Sequence, residues 1–252
     1  MSTATASDKA QAAAHTIVEL RQYVMRPDQR DVLIDLFDAN FVESQNAPGM
    51  ALVGQFRDLD DPDRFVWVRS FADMPTRAAL LTAFYTGPLW KTHSRAANAT
   101  MIDVRNVFLL RPARPDTGFP AAPLPPTTAK GPGRGLVVAS IVYMHPTAEA
   151  GFEDFFEKEM RPKWEKAGTP VIAQLVTESS ENTFPALPVR EGEKVFVWFS
   201  RFADQSALDR HSKALATSPE WRALAVQFNR WTFQPIATLH LQPTARSRLQ
   251  GG

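Results

Sequence analysis

The sequence contains no cysteine, and this absence removes a whole class of chemistry. The chain has no disulfide, no thiolate nucleophile and no cysteine metal ligand. Such a composition suits a reducing compartment, and we expect a cytoplasmic protein. No apolar run approaches the roughly 20 residues needed to cross a bilayer. Residues 1–14 are rich in alanine and resemble no targeting signal, so they are predicted to form a disordered tail.

Net charge is almost absent as well. The chain has 28 basic and 27 acidic residues, for a formal net charge of +1, and no block of five like charges. A protein of this kind has no electrostatic field with which to gather nucleic acid or an anionic membrane. We therefore expect neither of them as a partner. The 44% hydrophobic content is typical of a globular protein with buried cores.

The recognised motifs of cofactor and metal chemistry are missing too. There is no Gly-x-Gly-x-x-Gly, no phosphate-binding loop and no nucleophile elbow. The five histidines show no metal-ligand spacing, and no His-Glu-x-x-His occurs. We therefore predict no cofactor, no metal site and no haem.

What the sequence does have is an internal repeat. Residues 65–74 read FVWVRSFADM and residues 196–205 read FVWFSRFADQ. The two copies align without a gap as far as Pro112 and Pro243. Upstream the spacing between matched residues is shorter by 12, which predicts a 12-residue insertion in the second copy within residues 177–194. The pattern indicates a duplicated domain.

The two copies are joined by a segment in which regular structure is disfavoured. Residues 111–135 contain seven prolines and four glycines, which predicts an extended, semi-rigid linker. The expected organisation is a disordered tail 1–14, a first repeat 15–112, a linker 113–134, a second repeat 135–244 and a tail 245–252.

Each repeat predicts the element order β-α-β-β-α-β, the ferredoxin-like arrangement of an α+β protein. Asp73 and Asp204 have the character of helix N-caps, and Pro88 and Pro219 favour the start of a further helix. Two helices cover one face of such a four-stranded sheet and leave the other face bare. We therefore predict that the repeats pack sheet to sheet as an intramolecular dimeric α/β barrel.

Several of these residues resemble a known family. The first-strand pattern ELRQY, Gly49-Met50 before a strand, the tryptophan of FVWVRSFADM and the endings GPLW and SPEW are similar to NIPSNAP domains. That family belongs to the dimeric α/β-barrel superfamily, and the resemblance implies a tandem NIPSNAP-like protein. The family has no settled activity. Its superfamily includes cofactor-free monooxygenases, isomerases, haem enzymes and proteins without known catalysis.

The first strand carries the main candidate site. Side chains alternate along a strand, so Glu19, Arg21 and Tyr23 share one face. We expect the apolar face to meet the helices and the polar face to line the barrel lumen. Arg21 and Tyr23 would then orient an anionic or carbonyl-bearing ligand. The alternative is that Arg21 and Glu19 form a structural ion pair that braces the two halves.

Five further residues are candidates for the same site. Arg69 and Trp67 share a strand face, and Trp67 and Trp198 either wall an apolar pocket or simply pack in the core. His211 lies in a segment that resembles antibiotic-biosynthesis-type monooxygenases, in which a helix histidine approaches the lumen and would accept a proton. His93 is a weaker ligand-binding candidate.

These features predict a protein that binds a small molecule in its lumen. Its chemistry would be that of a cofactor-independent monooxygenase or isomerase acting on an apolar, carbonyl-containing compound. The alternative is a non-catalytic interaction or scaffold protein, and a homo-oligomer of the pseudo-dimeric chain is compatible with both. An open cavity bordered by Arg21 and Tyr23 would favour the enzyme, whereas a lumen filled by side chains would favour the scaffold.

Overall fold

The computed structural model describes residues 15–145, 151–228, 230–232 and 234–252, so the predicted disordered tail 1–14 lies outside the described residues. Within them the fold is mixed α+β. The strands are β1 Ile17–Met25, β2 Ala51–Asp58, β3 Arg64–Phe71, β4 Met101–Pro112, β5 Leu136–Tyr143, β6 Val171–Thr177, β7 Val195–Phe202 and β8 Ala237–Pro243. We call residues 15–112 the first half and residues 135–244 the second half.

Helices connect the strands on the outside of the sheet. The first half has α1 Arg30–Asn40, α2 Val42–Asn46, α3 Met74–Thr86 and α4 Pro88–Ala99. The second half has α5 Phe152–Phe155, a π-helical turn Phe156–Met160, α6 Arg161–Lys166, α7 Gln205–Thr217 and α8 Pro219–Phe228.

The predicted helix starts are confirmed by their caps. The side chain of Asp73 accepts a hydrogen bond of 2.7 Å from the backbone N–H of Thr76, at the start of α3. Asp204 does the same for the N–H of Ala207 at the start of α7, also at 2.7 Å. These bonds satisfy donors that have no partner within the helix, so the chain turns from strand to helix at the same place in each half.

The eight strands form a closed antiparallel barrel with the order β1-β3-β2-β8-β5-β7-β6-β4. The first half contributes β4-β1-β3-β2, and the second half contributes β8-β5-β7-β6. Two seams join the halves, one where β2 pairs with β8 and one where β4 pairs with β6. Since every strand is paired on both sides, the barrel has no free sheet edge.

Apolar side chains from all eight strands fill the barrel interior. The members on β1 are Val18 and Leu20, both at most 2% exposed. Two segments outside the strands also pack against this core. Phe119 of the linker contacts Phe199, with ring centroids 4.8 Å apart. Leu249 of the tail is 7% exposed, and its N–H donates to the carbonyl of Val53 at 2.9 Å.

The predicted orientation of β1 is therefore wrong. Val18 and Leu20 face the lumen, while Tyr23 packs in the cluster beneath the helices of the first half, on the same face as Glu19 and Arg21. The interior of an eight-stranded barrel is just wide enough for side chains to fill. Among the described residues, apolar side chains of all eight strands occupy the space in which the lumen site was expected.

We expect that residues 15–112, expressed alone, will not form a stable monomer. The inner face of this half would expose the apolar side chains that the second half covers, and β2 and β4 would become free edges. Analytical ultracentrifugation should show dimers or larger species, with the full chain as control. A well-folded, monodisperse monomer would contradict the dependence of each half on the other.

Candidate functional site

A cavity of about 80 Å³ lies in the first half, between the outer face of the sheet and the helices. Its floor includes the buried side chains of Tyr23, Gln45 and Trp67, which are 7%, 1% and 2% exposed. Its rim includes the partly exposed Tyr85 and Leu187. Most of the remaining wall is aromatic, from Phe37, Phe41, Phe84 and Trp90. The result is an apolar cleft that ends on a polar floor.

Tyr23 is held at that floor by hydrogen bonding and ring packing. Its hydroxyl oxygen accepts from Nε of Arg21 at 2.9 Å, and its ring meets Trp67 edge to face at 5.8 Å. Burial raises the pKa of Tyr23, and the charge of Arg21 opposes this only in part. The hydroxyl therefore stays protonated at neutral pH. Because its oxygen already accepts from Arg21, its proton is available for donation.

A buried charge cluster lies behind the floor. The carboxylate of Glu19 binds Arg21, Arg69 and Arg77 at 2.7 Å each, and all four side chains are 0% exposed. Burial alone would raise the pKa of Glu19, but Arg69, Arg21 and Arg77 together lower it well below its usual range. The carboxylate is therefore ionised. The cluster holds three positive charges against one negative charge.

Trp67 is placed between two of these cations. The guanidinium carbon of Arg21 lies 5.4 Å from the Trp67 ring centroid, and that of Arg69 lies 4.9 Å from it. Both distances are within the range of cation–π attraction. Arg69 also donates to the side-chain oxygen of Gln45 at 3.2 Å. The floor of the cavity is thus backed directly by positive charge.

The structure brings together most of the residues that the sequence singled out. Glu19, Arg21, Tyr23, Trp67 and Arg69 form one contiguous group, although on the helix side of the sheet.

Sequence reasoning missed Arg77, which the pattern of α3 signals. Arg77 follows the buried Met74 by three residues and precedes the buried Leu81 by four. The repeat alignment matches it with Leu208. An arginine on an apolar helix face has to find a buried partner.

His211 does not belong to this group, and it packs away from the barrel lumen that it was expected to approach. It is 2% exposed and packs in the second half against Trp164 and Phe202, with ring centroids 4.5 and 5.2 Å away. Burial lowers its pKa, and the backbone of Ala167 opposes this in part. His211 is therefore a neutral core residue, packed on the helix side of its own half.

His93 also lies outside the cavity lining. Its ring is partly buried, with its centroid 6.2 Å from that of Phe41, which does line the cavity. Among the described parts of the chain, no group of three or more histidine, aspartate or glutamate side chains is placed to hold a metal ion. No helix in those parts is long and apolar enough to cross a membrane.

The positions of the second half that match the charge cluster are occupied by uncharged residues. The repeat alignment matches Glu19, Arg21, Arg69 and Arg77 with Val138, Ser140, Ser200 and Leu208. Trp164 takes the position of Gln45, and its ring N–H donates to the hydroxyl of Ser200 at 2.9 Å. The hydrogen bond between these two positions thus survives without charge. Trp198 is fully buried there and packs against Trp164 at 5.3 Å, in the packing role that its sequence context allowed.

Residues 178–194, between β6 and β7, form the predicted insertion, and they reach across to the first half. We call them the insertion loop. Asn182 accepts a hydrogen bond from Arg77 at 3.0 Å, and Phe184 stacks on Tyr85 at 5.8 Å. The N–H of Arg190 donates to a carbonyl of β4, that of Val107, at 2.8 Å. Since Leu187 lines the cavity, the second half completes the site of the first.

No family model and no curated protein matches the chain. Among solved structures, an anthrone oxidase-like protein aligns with a TM-score of 0.61 and 12% identity over 96% of this chain and 98% of its own. A candidate monooxygenase from Lactobacillus acidophilus aligns with a TM-score of 0.54 and 13% identity over 94% of this chain and 99% of its own.

The structural neighbours also include NIPSNAP family proteins. One of unknown function from Agrobacterium tumefaciens has 20% identity over 40% of this chain and 91% of its own, with a TM-score of 0.37. At these identities a likeness shows the fold alone. The two alignments that span nearly the whole chain therefore show a shared fold, and they assign no activity.

We expect Glu19→Gln to destabilise the protein by roughly 3–5 kcal/mol, because three buried guanidinium groups would lose the carboxylate that binds all of them. Glu157→Gln, which breaks a partly exposed pair with Arg161, is the matched control and should cost less than about 1 kcal/mol. Urea denaturation measures both. Equal losses in the two variants would contradict the central role of Glu19.

The same variant has a pH signature. Because the folded-state pKa of Glu19 lies below its unfolded value of 4.5, the unfolded chain takes up the proton first as pH falls. The contribution of Glu19 to stability is thus complete above that value and is lost in more acid solution. Glu19→Gln should show a shallower decline of stability below about pH 4.5 than the wild type.

We expect His211→Leu to keep the fold and any ligand-binding capacity, since leucine occupies the matched position 80. The lowered pKa of His211 means that the unfolded chain binds a proton more readily below the ordinary value of 6.5. Wild-type stability should therefore fall from pH 7 towards pH 5 more steeply than that of the variant. Thermal melts across this range test it, and parallel pH profiles would contradict it.

Proposed function

We propose that this protein binds a small, apolar, carbonyl-containing compound in the first-half cavity and acts on it without a cofactor. One observation carries the proposal: the Tyr23 hydroxyl, fixed by Arg21, stands at the floor of an otherwise aromatic cleft. A preorganised hydroxyl in a water-poor site stabilises negative charge that develops on a carbonyl oxygen. Glu19 and Arg69 hold Arg21 and Trp67 in place behind it.

Oxygenation is favoured over isomerisation by the composition of the wall. Isomerisation of a carbonyl compound requires a group that removes a proton. The described residues that line the cavity include no aspartate, glutamate, histidine or lysine. An enolate or phenolate that enters already ionised needs no such group, because its carbanionic carbon gives an electron pair to molecular oxygen and forms a carbon–peroxide bond. The peroxide then takes up a proton and is lost as water together with the hydrogen on that carbon, which leaves a second carbonyl group. The names of the full-length structural neighbours, an anthrone oxidase-like protein and a candidate monooxygenase, support the same choice.

The size of the cavity limits the ligand. A volume of about 80 Å³ is well below the roughly 150 Å³ of an engineered cavity that takes up benzene. A ring-sized compound therefore enters only if part of the wall moves. Leu187 belongs to the insertion loop and lies outside any helix or strand, so it is the wall residue best placed to move. Phe184 of the same loop packs with Leu187 against a neighbouring apolar cluster. The loop would then set the size of the accepted ligand.

A non-catalytic scaffold is the second candidate. The observation that favours it is the lumen, which side chains of both halves fill. In this alternative the charge cluster is a brace that holds α3 and the insertion loop against the sheet.

The broader assignment belongs to the same proposal: a tandem duplication of a ferredoxin-like, NIPSNAP-like repeat that acts in the cytoplasm. The identical strand order of the two halves, 4-1-3-2 in each, supports the duplication.

We expect Tyr23→Phe to weaken ligand retention and oxygen consumption by about tenfold, the effect of one lost hydrogen bond of roughly 1.4 kcal/mol. Native mass spectrometry would identify copurifying ligands, and an oxygen electrode would follow consumption with anthrone and with smaller single-ring carbonyl compounds. Tyr143→Phe is the control, because its hydroxyl contacts Arg190 of the insertion loop outside the cavity lining. Wild-type behaviour of Tyr23→Phe would contradict the proposal. If the wild type itself shows neither ligand nor oxygen uptake, the scaffold is the better account.

A further inference from the structure

We propose that the first-half cavity takes its ligand as an anion, a carboxylate, enolate or phenolate, and that Arg21 is the positioning residue that selects this charge. The inference rests on the proposed function, since it concerns the ligand of the same cavity. The proposed function leaves the charge of the ligand open, and the buried charge cluster behind the cavity floor favours a negative one.

The buried cluster has more positive than negative charges. Arg21, Arg69 and Arg77 are wholly buried, and among the described residues their one bound carboxylate is Glu19. Their other hydrogen-bond partners are neutral: Tyr23, Gln45, Asn182 and Thr183. Two positive charges are therefore buried in surplus. Charges removed from water are strongly unfavourable without a counter-charge, so the site is suited to a group that brings one.

Several buried donors in and beside the cluster have no hydrogen-bond partner among the described residues. Arg21, Arg69 and Arg77 each have a buried Nη2 atom with no hydrogen-bond partner among the described residues, and the same holds for the ring N–H of Trp67. Buried donors are normally satisfied. All of these unfilled groups are donors, because arginine and tryptophan side chains carry no acceptor. Of the four side chains Trp67 lines the cavity, so a ligand group there meets a donor, and an accepting oxygen such as that of a carboxylate or an enolate complements it.

Arg21 lies next to two of the rings that line the cavity. Arg21 is hydrogen-bonded to Tyr23 and lies about 5 Å behind the rings of Tyr23 and Trp67, at 5.3 and 5.4 Å. Both rings line the cavity. Because Arg21, Tyr23 and Trp67 are all buried, the charge of Arg21 is screened less than it would be in water. Tyr23 couples Arg21 to the ligand, because a hydroxyl that accepts from a guanidinium group donates a stronger hydrogen bond to an anion.

The second half shows that the fold does not need this charge. Its matched positions hold Val138, Ser140, Ser200 and Leu208, and it forms the same strand order. The whole cluster is present in one half and wholly absent from the other. The shared strand order therefore does not require the cluster, which occurs in the half that has the cavity and receives the insertion loop.

The test compares benzoate with benzamide, two ligands of nearly equal shape that differ in charge. Isothermal titration calorimetry on the full chain should show benzoate binding at least tenfold more tightly than benzamide. Arg21→Met should remove this preference, because benzoate should lose at least tenfold more affinity than benzamide, while Arg21→Lys should retain most of it. A residue with a purely structural role would shift both ligands together. The titrations are repeated in Leu187→Ala, which enlarges the cavity for ring-sized probes.

The outcomes separate the two proposals. If both probes bind equally to the wild type and to Leu187→Ala, the anion inference is overturned and the cavity proposal stands. If neither probe binds to either protein, both proposals fail. The surplus charge also predicts that Arg21→Met, without ligand, melts no lower than the wild type, since two guanidinium groups still neutralise Glu19. A large drop in its melting temperature would contradict the charge count.

Discussion

The carboxylate of Glu19 is the interaction on which the first half depends. It lies on β1 and binds Arg69 on β3 and Arg77 on α3, so it fixes a helix to two strands at once. Through Arg77 it also reaches Asn182 of the insertion loop. The cavity lies between the elements that this one group holds together. Its position is therefore set by a buried ionic contact, in a region where aromatic packing alone would close the gap.

In the second half, aromatic side chains close the region that corresponds to the cavity. Trp164 and Trp198 fill its matched region with rings, and the hydroxyl of Ser200 satisfies the one polar hydrogen of Trp164. Two halves with one backbone plan have thus taken different roles. One keeps a charged, partly open interior beneath its helices, and the other is a packed wall that sends a loop across to its neighbour.

The sequence predicted the strands, the helix starts and the length of the insertion, because these depend on local patterns such as the caps Asp73 and Asp204. It divided the side chains of β1 correctly into two sets but assigned them to the wrong sides. In a closed barrel covered by helices both faces of a strand are buried, so alternation separates the faces without identifying them. Arg77 could have been found from the sequence, because the repeat alignment matches it with the apolar Leu208. The contact of Asn182 with Arg77, 105 residues away, has no local signal.

The insertion loop also has a consequence for the timing of assembly. Domains generally fold from the N-terminus as the ribosome releases them. The first half holds the floor of the cavity, yet Leu187 and Phe184 are translated only after the linker, β5 and β6. The nascent first half therefore presents an unfinished cleft and an uncovered inner sheet face. The cavity and the closed barrel are completed together, late in synthesis, when β7, β8 and Leu249 take their places.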